Sequence, residues 1–143
     1  MDYTIIKIKT IHAEDNNGGL SFFEGCRDIP FEIKRVYYIH GVDEGTERGS
    51  HAHRVLNQFL FCPYGQIELI LDDGQIKESV MLDNPSVGLY VSINIWRTIR
   101  WREKNSILCV AASDYYDEEE YIRDYDEFIK HINNIKVKNA NTV

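Results

Sequence analysis

Up to residue 112 the chain is cut by turn formers into short apolar or alternating runs, none long enough for an ordinary helix. The runs 4–11, 20–23, 33–40, 50–55, 57–63, 66–71, 75–81, 88–91, 95–101 and 106–113 are predicted strands. Asn17-Gly18-Gly19, Gly41 to Gly45, Tyr64-Gly65, Asp72-Asp73-Gly74 and Asn84-Pro85 break them. About ten strands at this spacing close into a sandwich or barrel. A chain of 143 residues suits one domain, with a proper core and room for a cavity. The expected class is therefore all-β, with residues 1–143 as a single domain and 1–114 as the barrel.

The period changes at Asp117, after which Tyr121, Ile122, Tyr125, Phe128, Ile129 and Ile132 recur at helical steps. Asp117 and Glu120 read as a capping box, which predicts a C-terminal α-helix over 117–134 packed on the sheet by its aromatic stripe. The polar stretch 136–143 reads as a frayed tail. A net charge of −7 argues against a nucleic-acid partner. Arg35, Arg48 and Arg97 nevertheless fall in or beside the candidate strands, as a local anion pocket would require. Cys26, Cys62 and Cys109 form no CxxC pair, and no apolar stretch approaches a membrane span, so a reduced, cytoplasmic setting without membrane association is expected.

One strand carries chemistry. Alternation sends residues i and i+2 to the same face, so His51 and His53 share one side, as do Arg35 and Tyr37. His12, His40 and His131 stand alone and read as structural. The spacing Gly45-x5-His51-x-His53-x4-Gln58-x6-Gly65 resembles the first signature of the cupins, whose fold is a double-stranded β-helix or jelly-roll barrel. Metal-binding cupins carry Glu where this chain has Gln58 and a late histidine where it has Arg97. An amide gives up a negative ligand and a guanidinium cannot deprotonate to coordinate, so no metal is expected and the imidazoles are left to acid–base chemistry.

Within the cupins the chain resembles the dTDP-4-oxo-6-deoxyglucose 3,4-ketoisomerases of 3-amino-3,6-dideoxyhexose biosynthesis. The resemblance rests on Ile33-Lys34-Arg35-Val36-Tyr37-Tyr38-Ile39, Arg48-Gly49-Ser50-His51-Ala52-His53, Leu71-Asp72-Asp73-Gly74, Gly88-Leu89-Tyr90-Val91, Ala112-Ser113-Asp114-Tyr115-Tyr116-Asp117 and Tyr121-Ile122-Arg123. It implies a dTDP-sugar substrate, no metal or organic cofactor, and a homodimer with exchanged N-terminal strands. It also implies His51 as principal base and proton carrier, with His53 assisting. Tyr37 and Arg35 would bond sugar oxygens or diphosphate, and Arg48 the phosphates or the enediolate oxygen. Gln58 and Arg97 would complete the substrate pocket, and Tyr90 or Trp96 would offer a slot for the thymine ring.

Members with histidine in place of Arg97 are associated with a galacto-configured 3-keto product. Arg97 here points to the gluco product, and Asn17 is a second position where the family varies. Two rival readings use the same barrel: an RmlC-like dTDP-sugar epimerase and a non-catalytic cupin that binds a sugar nucleotide. An iron or manganese dioxygenase is a third, weakened by Gln58 and Arg97.

Overall fold

The computed structural model describes residues 1–142. The strands are β1 (Tyr3–Lys7), β2 (Lys9–His12), β3 (Gly19–Phe22), β4 (Arg35–Ile39), β5 (Glu47–His53), β6 (Gln58–Tyr64), β7 (Ile67–Asp72), β8 (Lys77–Leu82), β9 (Val87–Val91), β10 (Trp96–Trp101), β11 (Ile107–Ala112) and β12 (Tyr121–Ile122), followed by the helix α1 (Tyr125–Ala140). One five-stranded sheet has the order β1-β9-β6-β11-β4 and the other β12-β5-β10-β7-β8, while β2 and β3 form a separate ribbon. This is the expected all-β cupin barrel: two antiparallel sheets facing each other across one core, with a C-terminal helix outside.

Alternation builds that core. Leu60, Leu69, Leu71, Leu89, Val91, Trp101, Leu108 and Val110 point between the sheets and are all but fully buried. Phe59 and Ala111 face the other way and are covered by Phe23, Ile29 and Phe31 from the segment between β3 and β4. The helix closes a third cluster, laying Phe128, Ile129 and Ile132 on Ala52, Ile122 and Trp96. Gly65 has φ +95 in the β6–β7 turn, and a Cβ there would lie 2.0 Å from the Ser106 hydroxyl that holds the Gln66 amide, so only glycine fits.

Three sequence expectations need correction. The run 4–11 is two strands, because Ile8 is buried at the corner, bonded to the Ser86 carbonyl, and β2 leaves the sheet to pair with β3. The helix expected over 117–134 starts at Tyr125, capped by Asp124, which accepts from the Glu127 amide at 2.9 Å. Asp117 caps only a 3₁₀ turn, Glu118–Glu120, and Tyr121 and Ile122 are then drawn into antiparallel pairing with His53 and Ala52. Tertiary pairing here overrides a helical period. The helix also runs on through Ala140, taking in 136–140 of the expected frayed tail. No helix among the described residues is long and apolar enough to cross a membrane.

Candidate active site

The barrel opens on a cavity of about 350 Å³ lined by Arg35, Tyr37 and Ile39 of β4, Arg48, Gly49 and His51 of β5, and Tyr116, Tyr121 and Arg123 of the segment before the helix. Strand alternation delivers the β4 set: Arg35, Tyr37 and Ile39 turn in while Val36 and Tyr38 are exposed. On β5 the register against β10 slips between the pairs Arg97↔His51 and Ile99↔Arg48. Gly49 sits at that slip with φ +87, and a Cβ there would come within 2.9 Å of the Ile99 side chain. The bulge re-aims Arg48 toward the cavity on the same side as His51.

The two histidines meet edge to face, ring centroids 4.7 Å apart, with their Nε2 atoms 3.0 Å apart. Tyr121 packs on both rings, at 5.1 Å from His51 and 4.5 Å from His53. His53 is fully buried, and its Nδ1 makes a short hydrogen bond to the carboxylate of Glu120, itself 8% exposed. The other Glu120 oxygen accepts from the backbone amides of Arg54 and Val55. Burial drives the His51 imidazole down to about 2, aided by His53 and Arg97, and drives His53 down to about 4 against the opposing pull of Glu120. Burial alone would raise Glu120, but the hydrogen bond from His53 and the two amides outweigh it and hold its carboxyl below the ordinary range. At neutral pH the group is therefore a carboxylate beside two neutral imidazoles.

Behind the histidines lies a polar chain. Arg97 is 1% exposed and donates to the Gln58 carbonyl and, at 3.0 Å, to the Ile95 carbonyl. A guanidinium only donates, so the Gln58 amide oxygen is committed to Arg97 and its nitrogen faces the Tyr37 hydroxyl at 3.1 Å. Tyr37 thus accepts from Gln58 and keeps its own proton for the cavity. Burial raises the Tyr37 phenol above its usual value, so it enters as the protonated form. Arg35 stacks over Tyr37 and Tyr116, and its Nε and Nη2 are buried without a protein acceptor. Arg123 stacks over Tyr121 at 4.5 Å and is tied to Glu118, whose carboxyl it pulls down to about 2.

A divalent cation of the cupin type does not fit this donor set. The Gln58 amide oxygen is already committed to Arg97, and a buried fixed cation stands where a further ligand would be needed. Among the described residues no group of three or more His, Cys, Asp or Glu side chains is disposed to hold a metal ion.

The structure brings together His51, His53, Tyr37, Arg35, Arg48, Gln58 and Arg97. It does not bring Tyr90, Trp96 or Asn17. Tyr90 pairs with Phe59 on the outer face of the first sheet, packs on Phe31 and bonds Asn57, because it alternates with the inward Leu89 and Val91. Trp96 likewise faces away from Arg97, against Tyr125 and Phe128 of the helix. Asn17 lies in a separate hollow at the tip of the β2–β3 ribbon with Ile11, His12 and Leu20. His131 ties the helix to Asn94 and Arg54. Sequence reading missed Glu120 and Tyr121, which the helical period hid, and Tyr116 and Arg123, which it quoted only for resemblance.

The family model described as "FdtA: WxcM-like, C-terminal" matches residues 1–133. The TDP-4-oxo-6-deoxy-alpha-D-glucose-3,4-oxoisomerase of Aneurinibacillus thermoaerophilus is 44% identical over 138 residues, which is 96% of this chain and 98% of that protein. A crystal structure of a 3,4-ketoisomerase from Helicobacter canadensis superposes with a TM-score of 0.89 at 42% identity, covering 93% of this chain and 98% of that one. A histidine-to-asparagine mutant of the 3,4-ketoisomerase from Thermoanaerobacterium thermosaccharolyticum, in complex with TDP-4-keto-6-deoxyglucose, superposes with a TM-score of 0.86 at 41% identity, covering 91% and 93%. Relatives of one activity, matched over nearly their whole length, displace the epimerase and binder readings, and the chain belongs to the sugar 3,4-ketoisomerase family of the cupins.

Proposed function

We propose that this enzyme converts dTDP-4-keto-6-deoxyglucose to the 3-keto isomer, with the gluco configuration at C4, for the supply of 3-amino-3,6-dideoxyhexoses. The observation that carries the reading is a neutral imidazole, His51, in a cavity ringed by arginines and faced by a protonated phenol. The C4 carbonyl acidifies the C3 hydrogen, and His51 takes that proton while the electron pair of the C3–H bond becomes the C3=C4 bond of an enediolate. A proton passes from O3 to O4, with Tyr37 as the donor and acceptor at hand. The sugar ring then turns its opposite face to His51, which returns its proton to C4 as the C3 carbonyl forms; return to the face that lost the C3 hydrogen would give the galacto product. No atom is gained or lost, and no cofactor is called for.

Arg35, Arg48 and Arg123 supply donors for the diphosphate and the enediolate oxygens. Tyr116, at the rim and 61% exposed, offers the aromatic face that Tyr90 and Trp96 cannot offer. The gluco product follows from Arg97, a fixed cation that shapes the sugar pose without exchanging a proton at neutral pH. A homodimer with exchanged N-terminal strands is supported by Ile5, Ile11 and Leu20, each about 60% exposed on β1 and the β2–β3 ribbon. A role for Asn17 in the sugar site would then run through the partner's cavity. The cytoplasm is the compartment where such a nucleotide sugar would be met.

Incubation with dTDP-4-keto-6-deoxyglucose in deuterated water tests the reaction: NMR is expected to show the carbonyl at C3 and a gluco-configured C4. A carbonyl that stays at C4 with C5 inverted would overturn it. His51→Asn is expected to abolish turnover while TDP affinity stays within about threefold.

A further inference from the structure

We infer that Glu120 is a positioning residue for the proton transfer, acting through His53 to decide which nitrogen of His51 is the base. The inference deepens the proposed role of His51 and rests on that reading. Its ground is the unbroken line of contacts from the Glu120 carboxylate to His53 Nδ1, and from His53 Nε2 to His51 Nε2 at 3.0 Å.

The tautomers follow from what each group is able to do. An ionised carboxylate only accepts, so His53 must carry its proton on Nδ1. A neutral imidazole with its proton on Nδ1 has a lone pair on Nε2, so the facing His51 Nε2 must be the donor. That places the His51 proton on Nε2 and leaves the lone pair on Nδ1. His51 Nδ1 is also buried, and it is the one nitrogen of the pair without a hydrogen-bond partner in the protein. Had the carboxylate been absent, either order of tautomers would satisfy the 3.0 Å contact, and in one of them the Nδ1 of His51 would be blocked by its own proton.

The same line supports the charge that forms. When the C3–H bond breaks, its proton bonds to His51 Nδ1 and the ring becomes an imidazolium. The Nε2–H of that ring still points at a lone pair, and the carboxylate at the far end of His53 offsets the new positive charge in a largely desolvated site. Arg97 on the other side would otherwise oppose it. Glu120 is itself held in place, because two backbone amides grip its second oxygen and the pairing of Tyr121 with His53 sets its distance.

The decisive measurement is the tautomer state of ¹⁵N-labelled protein without substrate, read from two-bond ¹H–¹⁵N correlations. The expected result is a proton on Nδ1 of His53 and on Nε2 of His51; a proton on His51 Nδ1 in the wild type would overturn the inference. Glu120→Gln is expected to scramble this order and to lower kcat about a hundredfold or more, with TDP affinity within about threefold. Glu120→Asp, which keeps the carboxylate, is expected to recover the wild-type tautomers and part of kcat. A Glu120→Gln enzyme within about threefold of wild-type kcat would also overturn it. If the wild type failed to isomerise dTDP-4-keto-6-deoxyglucose, the proposed function would fall while the tautomer result stood on its own.

Discussion

Arg97 donates to the amide oxygen of Gln58 in the dry centre of the barrel, where a metal-binding cupin would present a late histidine and a carboxylate. Both groups change together for a physical reason. A buried guanidinium needs acceptors, and an amide satisfies it with one end while turning its nitrogen to Tyr37 with the other. The polarity of the whole chain, from Arg97 through Gln58 to Tyr37 and the cavity, is set by the one group that cannot accept.

Gln58→Glu tests that polarity. A carboxylate would take hydrogen bonds from both Arg97 and Tyr37, so the phenolic proton would turn away from the cavity. Turnover is expected to drop about a hundredfold or more, in line with what one proton donor contributes. Steady-state kinetics with calorimetric TDP binding check it, and an unchanged kcat would remove Tyr37 as the oxygen-to-oxygen proton carrier.

Arg97→His puts a group able to exchange a proton where a fixed cation stands. Part of the product is expected to appear in the galacto configuration, resolved by the coupling between the C4 and C5 hydrogens in the NMR spectrum. A product that stays wholly gluco would mean that Arg97 does not govern which face of C4 is protonated.

Acidification should cost stability in a defined window. The unfolded chain protonates His51 and His53 near the ordinary 6.5, whereas the fold holds them at about 2 and about 4. Between about pH 6.5 and 4 the unfolded state therefore binds more protons, so stability rises with pH there and is lost as pH falls. Thermal melts from about pH 7 to 4.5 are expected to show Tm falling, less steeply in His53→Gln. Activity has the same sign, because His51 works as a neutral base: kcat/KM should stay level from about pH 8 to below 6. An inflection at about 6.5 in that profile would show His51 ionising like an exposed imidazole.

Gly49→Ala should be costly at a position that lines the cavity without a side chain of its own. The residue sits at φ +87, and the added methyl would meet Ile99 at 2.9 Å. A loss of about 1–3 kcal/mol is expected from denaturant melts. Because the bulge aims Arg48, KM should rise as well. A variant as stable as wild type would mean that β5 relaxes without the bulge.

The barrel was legible in the order of residues alone, because short alternating runs with turn residues between them leave few other ways to bury one face of each strand. So was the sharing of faces by His51 and His53, and by Arg35 and Tyr37, since period-two alternation is a local property of extended chain. The exclusion of a cupin metal set from Gln58 and Arg97 could be read early for a similar reason: it depends on what a side chain is able to do, wherever it ends up. Glu120 was a different matter. It lies 67 residues from His53, in a stretch whose spacing imitates a helix, and its place beside the imidazole exists only through the pairing of Tyr121 and Ile122 with β5. Tyr90 and Trp96 failed in the opposite sense, being near site residues in sequence pattern but turned to the outer face, and Asn17 is carried away from this chain's own cavity on the β2–β3 ribbon. Which face of a strand meets the cavity, and which distant carboxylate closes on a histidine, emerged only when the chain had folded, because both depend on long-range pairing whose free energy comes from burial across the whole barrel rather than from any neighbouring residue.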